Sequence, residues 1–92
     1  MTRRSGELGK RTVERVQTGV RLERRILLVL KAFAAAKEMT LGDLLEGIAL
    51  HAFEGKAPFG PESLATLKQL RAVYKLDLRA ADSHQLIERK RH

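Results

Sequence analysis

Ninety-two residues allow one small domain with short extensions, and 18 Lys and Arg against 11 Asp and Glu leave a formal charge of +7, which favours a polyanionic partner. With no Trp, one Tyr and three Phe, the chain has few platforms for stacking unpaired bases, so duplex DNA is expected over single strands or RNA loops. The lack of cysteine excludes disulfides and thiolate chemistry, and no apolar run reaches the length of a membrane span or a signal-peptide core, so a soluble cytoplasmic protein is expected.

Residues 1–12 carry Arg3, Arg4, Lys10 and Arg11 among small and polar residues. They are expected to form a disordered basic arm, either a solubilising tail or a contact to phosphates. From residue 13 the pattern changes. Val16, Thr18, Val20 and Leu22 alternate with Arg15, Gln17, Gly19 and Arg21, the period of a strand with one face buried and one free. No second strand pattern follows, and one strand alone leaves its backbone donors and acceptors unpaired. An antiparallel partner from a second copy of the chain is the simplest remedy, which makes the expected protein a homodimer.

Glu23 to about Lys37 reads as a helix whose stripe Ile26, Leu27, Leu30, Phe33 and Ala34 faces the core. Arg24, Arg25 and Lys31 lie on its solvated side, and Leu28 lies across from the stripe. Thr40 is a good N-cap for a second helix, with Asp43 placed to complete a capping box. Leu41, Leu44, Leu45, Ile48, Ala49, Ala52 and Phe53 form its apolar face. Gly42 and Gly47, each costing about 1 kcal/mol against Ala inside a helix, are candidates for close helix contacts. Leu50 is apolar on the side that should meet water, and Gly55 suits the helix end.

Residues 56–61, with two prolines and a glycine, read as a linker. Pro61 and Glu62 suit the start of a third helix, running to about Leu76. Its stripe of Leu64, Leu67, Leu70 and Tyr74 is expected to meet Leu28 and Leu50. Asp77 is a candidate cap for a last short helix bearing Ala80, Ala81, Leu86 and Ile87. The domain reading is thus an arm at 1–12, a DNA-binding unit at 13–55, the linker, and a helical extension at 62–92.

Strand, helix, capped turn and helix, in that order and with this charge, resemble the ribbon-helix-helix DNA-binding proteins. The resemblance covers residues 16–53, somewhat under half of the chain. Val20-Arg21-Leu22 looks like the family's strand end, Glu38-Met39-Thr40 like its interhelical turn, and Leu44-Leu45 with Ile48-Ala49 like its second-helix core. Glu23 stands where many members have Pro, and Glu38 where many have Gly. The resemblance implies a mostly α fold in which two copies pair their N-terminal strands into a ribbon lying in the major groove. The implied dimer core is Val20, Leu22, Ile26, Leu27, Leu30, Phe33, Leu44, Leu45 and Ile48. The implied base-contacting positions are Arg15, Gln17, Gly19 and Arg21; Arg can bracket guanine and Gln adenine, while Gly19 departs from the polar residue usual there. The backbone amides of Thr40 and Leu41 would hold a phosphate at the helix N-terminus, and Arg3, Arg4, Lys10 and Arg11 would add backbone contacts.

Catalysis finds no support. His51, His84 and His92 are scattered with no HExxH spacing, and there is no glycine-rich phosphate loop, so no enzyme, cofactor or metal site is expected. Three readings follow: a transcriptional repressor at a bacterial nucleoid, an antitoxin-like protein whose residues 58–92 wrap a partner protein, and an architectural DNA coater with little sequence preference.

Overall fold

The computed structural model describes residues 10–89. The protein is mostly helical: α1 spans Arg24–Ala36, α2 Leu41–Phe53 and α3 Pro61–Val73, followed by a 3-10 turn at Ala80–Asp82. Among the described residues of the single chain there is no strand, and residues 10–22 take no regular structure.

Each helix has a local cause at both ends. Glu23 caps α1, its Oε1 accepting from the Ile26 N–H at 3.0 Å, so an acidic side chain does the work of the usual Ser or Asp. At α2, Thr40 Oγ1 accepts from the Asp43 N–H at 3.0 Å. The return bond of the capping box is not made, because Asp43 is one methylene shorter than Glu. Pro61 starts α3, where its missing N–H would have had no helical partner.

All three helices close with the same pair of bonds. The amide two residues past the C-cap returns to the carbonyl three residues inside the helix: Met39 to Ala34 at 2.9 Å, Lys56 to His51 at 2.8 Å, and Leu76 to Arg71 at 2.8 Å. The residue between must turn left-handed, and it is Glu38, Gly55 and Lys75 in turn, with φ of 57, 70 and 56°.

The core is small. Val29, Phe33 and Ala34 from α1, Leu44 from α2 and Leu76 are the buried hydrophobics among the described residues. Leu30, Met39, Ile48, Phe59, Leu67 and Leu70 pack against Phe33, Ala34 and Leu44. Phe59, from the segment read as a linker, lies edge-on to Phe33 with ring centres 5.2 Å apart. Lys37 sits over the Phe33 ring, its Nζ 5.7 Å from the ring centre.

Several expectations need correcting. Val29 is buried although it lies beside the expected stripe. Leu67, Leu70 and Tyr74 are half-buried, but Leu64 is exposed, and Leu50 keeps 64% of its surface because α3 does not run along α2. The last helix is reduced to the 3-10 turn, which carries Ala80 and Ala81 but does not reach Leu86 and Ile87. Asp77 accepts from Arg25 Nη1 at 3.1 Å instead of capping, Arg79 holds the N-cap of the 3-10 turn, and Leu86 and Ile87 lie beyond it and exposed. Gly42 and Gly47 serve no close approach within the chain: a Cβ at Gly47 would meet nothing within 4 Å, and one at Gly42 only Thr40 Oγ1 at 4.0 Å.

The segment after α3 is tied to the start of α1 by Arg25 and to α3 itself by Arg71. Arg25 Nη1 also donates to the Lys75 carbonyl at 3.0 Å, and Arg71 Nη2 donates to the Leu78 carbonyl at 2.9 Å. No helix among the described residues is long and apolar enough to cross a membrane.

Candidate nucleic-acid interface

Residues 10–22 are exposed throughout, and among the described residues none of their backbone groups pairs with another backbone group. Val16 and Val20 keep 79% and 71% of their surface open, Leu22 43%, although their alternation marks a face suited to burial. The alternation of Val16, Val20 and Leu22 with Arg15, Gln17 and Arg21 is that of a strand, but among the described residues the segment forms none.

The three polar positions are not equivalent. Arg15 is held by Glu46 of α2 in a two-bond pair, Nε to Oε2 at 2.7 Å and Nη2 to Oε1 at 2.8 Å. The hydrogen bonds from Arg15, and then its charge, hold the Glu46 carboxyl below the usual carboxylate range and raise the guanidinium in return. Arg21 donates through Nη2 to Glu88 of the C-terminal segment. Gln17 is exposed and makes no side-chain hydrogen bond among the described residues, and beside Gly19 there is open space. The sequence reading missed both carboxylates. They lie 31 and 67 residues from their partners, and no local spacing joins positions so far apart.

The N-terminus of α2 has the expected chemistry. Thr40 Oγ1 takes the Asp43 amide and the Thr40 carbonyl takes that of Leu44 at 3.0 Å. The amides of Thr40, Leu41 and Gly42 are left without a partner among the described residues, at the positive end of the helix dipole. Thr40 is exposed and Leu41 half-buried. Lys10 and Arg11 are exposed; Arg3 and Arg4 lie outside the described residues.

The expected dimer-core positions fall into three groups in the single chain. Phe33 and Leu44 are buried, Ile26, Leu27, Leu30 and Ile48 are half-buried, and Val20, Leu22 and Leu45 are exposed. Phe53, at the end of α2, is 82% exposed. Among the described residues no three His, Asp or Glu side chains gather where they could hold a metal ion. Comparison with models of known protein families, with curated protein sequences and with solved structures finds no significant match.

Proposed function

We propose that the chain binds double-stranded DNA as a homodimer and acts as a transcriptional repressor at a bacterial nucleoid. Residues 13–22 of two copies pair as an antiparallel ribbon, and the ribbon enters the major groove, which is wide enough for two strands. The observation that carries this reading is the unpaired, two-faced segment at 10–22, exposed on both sides and leading directly into α1. A second copy satisfies its backbone and covers Val16, Val20 and Leu22, while Gln17 and Arg21 remain outward. The free amides at Thr40 and Leu41 and the charge of +7 add phosphate contacts.

The packing of α3 on α1 supports this reading over the antitoxin-like one, since that helix already has a docking place within its own chain. The decisive experiment is selection of bound duplexes from a random DNA pool, followed by titration of the enriched and a scrambled sequence. Enrichment of a two-fold-related sequence bound by a dimer is the expected outcome. Equal binding to both duplexes would favour the architectural coater, and no retained duplex would remove the reading.

A further inference from the structure

The two arginines best placed to contact bases are each held by a carboxylate from elsewhere in the same chain. Arg15 presents its Nε and Nη2 edge to both oxygens of Glu46, at 2.7 and 2.8 Å. That edge is one of the two forks by which a guanidinium can bracket O6 and N7 of guanine. Arg21 spends an Nη2 donor on Glu88. The two acids come from different elements, the middle of α2 and the C-terminal segment whose start Arg25 ties to α1 and Arg71 to α3. Both pairs are open to solvent, with side-chain exposures of 66% and 45% in one and 83% and 68% in the other. Exposed pairs of this kind add little to folding stability, so the fold does not need them.

We propose that Glu46 and Glu88 are built-in competitors for DNA: each holds donors and charge that its arginine would otherwise offer to a base or phosphate, and together they lower the affinity of the free protein. The inference rests on the duplex-binding reading above. It follows from competition, because a donor given to a carboxylate is not available to an acceptor on DNA and the carboxylate offsets the charge that attracts a phosphate. Neutral amides of the same size remove the competing charge without removing volume.

The test measures duplex binding by fluorescence anisotropy for the wild type, Glu46→Gln, Glu88→Gln and the double variant, on a selected and a scrambled duplex. Each single variant should bind the selected duplex about two- to fivefold more tightly, the range set by the strength of an exposed ion pair, and the double variant should approach the product. Repeating Glu46→Gln in an Arg15→Ala background, and Glu88→Gln in an Arg21→Ala background, separates competition from bulk charge, because without the arginine the gain should fall to that of a bulk charge change. Glu62→Gln, which removes the same charge from a carboxylate paired with Lys37, should give a smaller gain than either. Equal gains with and without the arginines, or wild-type binding that the double variant does not tighten, would overturn this proposal alone. Duplex binding by neither the wild type nor the double variant would overturn the DNA reading with it.

Discussion

Two of the three helices end on residues that ordinarily avoid the conformation they hold. Glu38 and Lys75 sit at φ of 57 and 56°, the role that Gly55 fills at the end of α2 without a Cβ penalty. Glu38→Gly should therefore stabilise the protein by about 1 kcal/mol, and Glu38→Val, branched at Cβ, should destabilise it. Urea unfolding midpoints check both signs; an unchanged midpoint for the glycine variant would mean the turn carries no strain. Glu23 bears on acid stability. Burial alone would raise its carboxyl, but hydrogen bonds from Arg25 and the Ile26 amide, with the Arg25 charge, outweigh burial and hold it below the usual value. A depressed folded-state value means the stabilisation is present above the unfolded value near pH 4.5 and is lost as pH falls through the folded one. Unfolding free energy should decline on acidification below about pH 5, and Glu23→Gln should flatten that decline. Arg21→Ala separates base contact from charge. Its exposed site predicts a stability change within about 0.5 kcal/mol, while a base contact predicts a loss of about 1–3 kcal/mol on the selected duplex and much less on a scrambled one. Equal losses on both would make Arg21 a phosphate anchor.

At the scale of elements, α3 is the part whose placement the sequence left open. Its stripe named Leu67 and Leu70 as packing residues, and they do pack, but on the α1 side of the core beside Phe33 and not against Leu50. The amphipathic period says which face of a helix is apolar; it does not say which neighbour will cover it. The bounds of α1 and α2 were readable because their signals are local. Thr40 announces α2, Gly55 ends it, and the apolar repeat of α1 stops within a residue of Ala36. Phe59 was hidden inside a Pro- and Gly-rich stretch that reads as linker, and its contact to Phe33 depends on the path of the chain after α2. The ion pairs of Arg15 and Arg21 were beyond reach for the same reason. The expected last helix reaches only Ala80–Asp82, and Leu86 and Ile87 stay outside it, with Ile87 96% exposed. The docking of α3 has a direct check. Amide protons across its middle turns should exchange as slowly as those of α1, and Phe59→Ala should loosen α3 before α1. Exchange of α3 within seconds in the wild type would refute the docking.

For the whole molecule the issue is what covers the apolar surface that the chain does not cover itself. A domain of this size buries little more than about 60% of its unfolded surface and is marginal when its core is incomplete. Among the described residues the core is five buried hydrophobics, while Val16, Val20, Leu22, Leu45 and Phe53 are exposed. Burying a Val or Leu side chain is worth about 1.5–3 kcal/mol, so several such positions covered at once outweigh the marginal stability of one chain. Folding and association should then be one event, and the thermal midpoint should rise with protein concentration. Val20→Asp gives the sharper test, because the two alternatives predict opposite results. In a monomer Val20 is 71% exposed, and an aspartate there is a surface change worth within about 0.5 kcal/mol. In the dimer the same aspartate is a charge buried at the ribbon, with no basic partner on the apolar face that Val16, Thr18 and Leu22 share with it. Sedimentation and thermal melts of the wild type and Val20→Asp, each across two decades of concentration, distinguish them. The dimer requires the wild-type midpoint to move with concentration and the variant to sediment as a destabilised or unfolded monomer. A variant that melts with the wild type, at a midpoint independent of dilution, would show that the face at Val16, Val20 and Leu22 is open in solution, and the ribbon would have no second strand.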